Sequence, residues 1–187
     1  MGSRPRSKWL FIFVGNNATG KTTVQRHLVK LLNGADYKRL PSNQAYEITH
    51  AHIMRKFRKV FIAGRSYQEL RNSPNEYTTV RDYFRRKFGR AAADVDLAFM
   101  ASHIDRADIE LMIREAHYRF WNVCAIFFGN AISADPEVVT SISAELPWDE
   151  RWYAENSHSD DEEVQQRQLG DIAGEIVQML IERTRGW

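Results

Sequence analysis

A chain of 187 residues, 43% apolar, holds enough material for one sizeable buried core, which points to a single α/β domain rather than a disordered or fibrous chain. No apolar run nears the ~20 residues that cross a bilayer, and a lone cysteine, Cys124, excludes an intrachain disulfide. The net charge of +2 conceals a division, because residues 1–90 carry 19 Lys/Arg against 5 Asp/Glu and residues 91–187 carry 7 against 19.

A basic half of that kind gathers polyanions, since clustered cations concentrate phosphates and gain from counterion release. The competing account is charge that serves one nucleotide or pairs with the acidic half. The basic start, Met1 to Lys8, runs into a strand with no signal-peptide apolar core, and Cys124 in an apolar strand reads as a buried, inert thiol. The expectation is a soluble, cytoplasmic protein with no membrane partner.

In chain order, Trp9 to Val14 reads as the first strand. It leads into Gly15-Asn16-Asn17-Ala18-Thr19-Gly20-Lys21-Thr22, which fits G-x-x-x-x-G-K-[ST] at every fixed position, and a helical pattern follows from Lys21 to about Leu32. Strand before and helix after are the context the motif needs. Its glycines let successive N–H groups and the helix N-terminus face a polyphosphate. Lys21 reaches the β- and γ-phosphates, and the Thr22 hydroxyl joins the Mg²⁺ shell. Gly15 to Thr23 is therefore expected to bind a nucleoside triphosphate.

Asn33-Gly34 stops that helix. A short second strand is expected over Tyr37–Leu40, then a helix capped by Ser42 or Asn43 and running to about Arg58. Lys59–Ala63 reads as the third strand. The segment from there to Arg90 is polar, basic and aromatic, with a turn at Ser73-Pro74-Asn75. Asp94–Ala101 is the expected fourth strand, Asp105 to about Phe120 a helix, and Asn122–Phe128 the fifth strand. Asp135-Pro136 opens a short helix, and Pro147 to Trp152 reads as an aromatic loop. The last helix carries an unbroken stripe of Leu169, Ile172, Ala173, Ile176, Val177, Leu180 and Ile181. Alternating strands and helices predict a mostly parallel five-stranded sheet with helices on both faces and ligands at the carboxyl edge of the strands.

That edge should collect the loop, Arg65 and His103. Arg65 follows a strand directly, where its fork of donors suits a phosphate, although a surface arginine would look the same. His103 suits polarising an acceptor hydroxyl or holding a structural hydrogen bond. Asp105 and Asp108 have helix-cap spacing, so capping is preferred over a base or metal role. Asp94 and Asp96 belong to the opposite edge, and so does Asp36. His50-x-His52 lacks further zinc ligands, and Asp160 to Glu163 suits a helix N-terminus. Arg81, Arg85, Arg86 and Lys87, interleaved with aromatics, suit a phosphate lid or a nucleic-acid contact, against the plainer account of a solvated basic helix. Tyr67, Tyr77, Tyr83 and Phe84 are the candidates for stacking on bases.

The strand–loop–helix opening resembles the P-loop kinase group that contains nucleotide, adenylylsulfate and polynucleotide kinases, and Gly15 to Thr23 is similar to the deoxynucleoside kinase form. Phe61-Ile62-Ala63-Gly64-Arg65-Ser66-Tyr67 is similar to their third strand and following turn. The basic aromatic middle also resembles the phage kinases that phosphorylate 5-hydroxymethyluracil in DNA. The resemblance implies one kinase-like domain over residues 1–187 with a three-layer P-loop NTPase fold, and, if the chain is phage-encoded, a place in the host cytoplasm. It implies ATP with Mg²⁺ and transfer of the γ-phosphoryl group to a hydroxyl of a nucleotide or nucleic acid, with Lys21 at the phosphates and Arg65 or an arginine of residues 81–90 at the transferring group, beside which His103 is the candidate for the acceptor hydroxyl. The chain departs from the pattern where those kinases carry an acid, because the turn reads Gly64-Arg65-Ser66. That leaves the catalytic base unassigned, and no acidic Mg²⁺ partner is evident. A small-molecule nucleotide kinase and a nucleotide-dependent DNA-binding switch are the rival readings.

Overall fold

The computed structural model describes residues 8–41, 43–71, 77–89 and 94–185. Its centre is β1 (Lys8–Val14), an apolar run of strand formers that pairs in parallel with β4 (Leu97–Ser102) on one side and β5 (Trp121–Phe128) on the other. Parallel strands buried on both faces read as continuous apolar runs, and these three do. β3 (Lys59–Ala63) extends the sheet beyond β4, and β6 (Glu150–Ala154) extends it beyond β5, both in parallel. β2 (Gln44–Glu47) closes the other edge antiparallel to β3, giving the order β2-β3-β4-β1-β5-β6.

Alternate residues of the strands face opposite ways. Leu10, Ile12 and Val14 lie in one apolar cluster with α3 (Val80–Phe88), α4 (Arg106–Tyr118) and α6 (Pro136–Glu145). Phe11 and Phe13 lie in the other, with α1 (Lys21–Asn33) and α7 (Glu162–Thr184). In that second cluster the Phe99 ring stacks on Phe11 at 5.0 Å and on Phe13 at 5.8 Å. The predicted stripe of α7 is buried from Leu169 to Leu180, with Ile181 half-buried. Asp161 caps α7 by accepting from the amides of Glu163 (2.8 Å) and Val164 (3.3 Å), a contact that stabilises a helix by ~1 kcal/mol. Asp105 caps α4 in the same way through Asp108 N–H (3.0 Å), as its spacing predicts. Cys124 is buried, and burial pushes its thiol up to about 12.

Three expectations are corrected. The sheet has six strands, not five. Tyr37–Leu40 forms no strand, and residues 44–47 form one instead of a helix, with only a 3₁₀ turn (Ile53–Arg55) before β3. On β2 Tyr46 is buried and Ala45 half-buried while Gln44 and Glu47 are exposed, and the chain pairs this run with β3. Pro147 to Trp152 is no simple loop either, since Glu150–Ala154 is β6, an edge strand that buries only Ala154. The expected turn at Ser73-Pro74-Asn75, the cap at Ser42 and the ends at residues 1–7 and Arg90 lie outside the described residues.

The parallel strands end at Val14, Ala63, Ser102, Phe128 and Ala154 along one edge, and the antiparallel β2 begins there, with Gln44 opposite Ile62.

Candidate functional site

Between β1 and α1 the loop is held tightly. The amide of Gly15 donates to the carbonyl of Ser102 at 3.1 Å, and Asn16 Oδ1 accepts from Ile104 N–H at 3.2 Å. A Cβ on Gly15 would sit 2.8 Å from Thr19 Oγ1. At Gly20, φ is +93° and a Cβ would meet Leu169 Cδ2 at 2.4 Å, so only glycine fits where α7 presses on the loop. Ala18 also has a positive φ, 63°, a conformation that costs a non-glycine residue about 1 kcal/mol.

The helix after the loop starts without a side-chain cap, whereas Ser66, Thr79, Asp105 and Asp161 cap other helices. Its first amides are orphan donors at the positive end of a dipole, the arrangement an anion fills. Lys21 is buried and bends back, donating to the carbonyls of Gly15 and Asn16 (2.6 Å) and to Thr19 Oγ1 at 3.2 Å. Burial lowers its pKa to about 8, and the charge of Glu69 opposes that drop. Thr22 is exposed and Thr23 half-buried. Loop, lysine and threonines thus come together at the start of α1.

On one side of the loop opens a cleft of about 450 Å³ lined by Thr22, Thr23, Arg26, Lys38, Arg39, Leu40, Asn43, Gly64, Arg65, Glu69 and Leu70. Four of these residues are cations. Arg65 lies there as expected, and its carbonyl accepts from Tyr83 Oη at 3.1 Å. Arg26 is tied down by Lys38 O (3.4 Å) and Gln166 Oε1 (3.1 Å). His103 does not line the cleft itself. Its Nε2 lies 3.4 Å from Oε1 of Glu69, which does. Buried Gln68 organises this pair: its amide donates to Ser102 Oγ (3.3 Å) and its carbonyl oxygen accepts from His103 N–H (3.4 Å). Glu69 is the site residue the sequence reading passed over. Its spacing from Ser66 is that of a capping box, and Ser66 Oγ does accept from Glu69 N–H (3.2 Å) on α2 (Tyr67–Leu70).

On the loop's other side is a second pocket, about 250 Å³, lined by Ala18, Thr19, Gly20, Thr23, Asn130, Asn156, Ser157, His158, Gln165, Gln166, Gln168 and Leu169. Asn130 lies on α5 (Gly129–Ala134), a helix for which the sequence carried no expectation. Its backbone N–H donates to Asn156 Oδ1 (3.3 Å), while its own buried Oδ1 has no partner among the described residues. Gln168 and Ser157 exchange hydrogen bonds of 3.2 Å. Five amide side chains meet here, Asn130 from α5, Asn156 from the segment after β6, and Gln165, Gln166 and Gln168 from α7.

The basic segment is only partly brought to this edge. Arg81, Arg85 and Arg86 are exposed on α3; Asp82 pairs with Arg85 at 2.6 Å and with Arg86 at 3.1 Å. Lys87 is buried instead, its ammonium 5.3 Å from the Tyr77 ring and 5.7 Å from the Tyr83 ring, so it is neither lid nor surface contact. Tyr67, Tyr83 and Phe84 are buried in the core and offer no face to a base, and Tyr77 is half-buried. The cause is helical periodicity: Val80, Tyr83, Phe84, Lys87 and Phe88 share the face of α3 turned to the sheet.

Among the described residues no group of three His, Cys, Asp or Glu side chains could hold a metal ion, and no helix is long and apolar enough to cross a membrane. No family model, curated protein or solved structure matches this chain.

Proposed function

We propose that this is a P-loop kinase with the three-layer P-loop NTPase architecture, moving the γ-phosphoryl group of ATP to a hydroxyl of a nucleotide or nucleic acid. The observation that carries this reading is the uncapped start of α1 behind Gly15 to Thr22, with Lys21 at its entrance and a cationic cleft alongside. The amides and Lys21 would hold the β- and γ-phosphates, because a polyphosphate offers better acceptors than the loop carbonyls that Lys21 now uses. The amide pocket suits a nucleobase: it holds no carboxylate, lysine or arginine, and Asn130 Oδ1 is an unused acceptor for an exocyclic amine. Mg²⁺ fits with Thr22, phosphate oxygens and water as ligands, since no acidic cage is present among the described residues, and it would supply neutralisation of charge on the phosphates. Arg65 faces the transferring group from the cleft.

The acceptor we favour is 5-hydroxymethyluracil in phage DNA, with Arg81, Arg85 and Arg86 as the exposed cations for a phosphate backbone. A kinase of free nucleotides is the second reading, supported by two observations: the cleft is nucleotide-sized, and the aromatics that would stack on an extruded base are buried. Incubation with γ-labelled ATP and a panel of nucleoside monophosphates, unmodified DNA and hydroxymethyluracil DNA tests both. Label on the modified DNA and none on thymine DNA is the expected result; label on a free nucleotide at an equal or higher rate selects the second reading. Hydrolysis without transfer to any acceptor would leave a nucleotide-dependent switch.

A further inference from the structure

We infer that Glu69 is the group that takes the proton from the acceptor hydroxyl, with His103 as its positioning residue; this rests on the kinase reading above. The turn after β3 has no acid at Gly64-Arg65-Ser66, yet one helical turn further on a carboxylate reaches the same cleft. The geometry has four parts. Glu69 lines the cleft beside Arg65, on the side of the loop where an acceptor would enter. It is near enough to Lys21 for its charge to act on that ammonium. Its Oε1 is fixed by His103 Nε2 at 3.4 Å, and buried Gln68 locks the backbone of His103 and the end of β4 to α2. Its side chain is 38% exposed, so it meets a substrate rather than serving the core.

A carboxylate that merely completed a capping box would turn back to the amide of Ser66; this one is directed at His103 across the strand ends. Among the acids of the described residues it alone lines the cationic cleft. Of the acids at the start of α4, Asp105 is spent on capping that helix and Asp108 pairs with Arg71 at 3.4 Å.

In the step, the acceptor oxygen forms a bond to the γ-phosphorus as Glu69 takes its proton. The bond from that phosphorus to the bridging oxygen breaks, and the electron pair leaves on the β-phosphate beside Lys21. Glu69 then gives the proton to water. His103 donates its Nε2–H to the carboxylate throughout and holds one oxygen still while the other faces the acceptor.

The test uses full-length protein with the acceptor found in the labelling panel. Glu69→Gln keeps shape and helix, and should lower kcat by about 10²- to 10³-fold while ATP affinity, measured by calorimetry, stays within twofold. The acid limb of the kcat–pH profile should disappear with it. His103→Ala should lower kcat less and move that limb, and His103→Gln, which keeps an N–H for Glu69, should restore most of the rate. A wild-type rate in folded Glu69→Gln overturns the inference and leaves the kinase reading standing. A raised Mg²⁺ requirement with an unchanged pH profile also overturns it, because Glu69 would then belong to the metal. No transfer by the wild type to any acceptor overturns both.

Discussion

The two hollows beside the loop are built from opposite materials. The cleft toward β3 carries Arg26, Lys38, Arg39 and Arg65 against one carboxylate, whereas the pocket toward β5 and β6 is lined by asparagine and glutamine side chains with no fixed charge but that of His158 when protonated. They share Thr23 and the loop between them. Cations gain most where a ligand brings anionic oxygen, and unpaired amides gain most where it brings neutral donors and acceptors. Under the proposed kinase reading, the difference would orient a nucleotide with polyphosphate at the loop and base on the amide side, and would set a phosphate-bearing acceptor on the cationic side. The chain's two halves meet in the sheet: β1, β2 and β3 come from the basic half and β4, β5 and β6 from the acidic half, with β4 lying between β3 and β1.

The largest effect should come from the element both sides share. Lys21→Ala should reduce transfer by on the order of 10²–10³-fold, as when a single donor to a developing anion is removed. The fold should survive, because the ammonium contacts only loop oxygens. Circular dichroism alongside the labelling assay checks this, and a fully active, folded variant would remove the loop from the mechanism.

The two sides should then separate. Arg65→Ala should raise KM for the acceptor by about 10- to 100-fold, the value of a charge-assisted hydrogen bond, with little change in ATP affinity. Asn130→Leu should do the reverse, weakening ATP binding by about 10-fold and sparing the acceptor. Calorimetry for ATP and initial rates for the acceptor give the two numbers. If both variants move the same constant, the assigned orientation is wrong.

How much of this arrangement the sequence disclosed depended on contiguity. β1, the loop and α1 are one unbroken pattern, and α4 and α7 carry full apolar stripes with acids at their starts, so their places were legible. β2 and β6 were not. They are edge strands of four and five residues that bury one face only in part, and so short a run satisfies a helix or loop pattern equally well. The site divides in the same way. Lys21 and Thr22 are read from one motif, and Arg65 from one strand end. Glu69 was hidden because its spacing from Ser66 describes a cap, and the amide pocket because Asn130, Asn156 and Gln168 are neighbours only in space. Lys87 misled in the other direction, since a lysine in a basic run gives no sign that its helix turns it inward.

A smaller effect should follow from the exposed arginines. If α3 meets a nucleic-acid backbone, replacing Arg81, Arg85 and Arg86 with alanine should flatten the dependence of log affinity on log salt by about 2 to 3. ATP affinity should hold, because these residues line a separate hollow of about 350 Å³ with Thr78, Thr79 and Asp82. Filter binding at several salt concentrations measures the slope, and an unchanged slope would confine the polyanion to the cationic cleft.

The smallest effect belongs to Lys87, and it separates fold from function on the basic side. Burial lowers its pKa to about 8, below the ordinary 10.5, with the Tyr77 and Tyr83 ring centroids 5.3 Å and 5.7 Å from the ammonium. The unfolded chain therefore binds this proton more tightly than the folded one, and stability rises with pH between about 8 and 10.5. Below that window the charged lysine is a standing cost. Lys21 shows the same lowering and contributes a slope of the same sign, so substitution is needed to isolate Lys87. Lys87→Met keeps the length of the side chain and removes the charge. It should raise Tm by a few degrees at pH 7, by less at pH 10, and leave DNA affinity and its salt slope untouched. Calorimetry at the two pH values checks the first part. A drop in DNA affinity would return Lys87 to the contact surface, against its burial under two tyrosines.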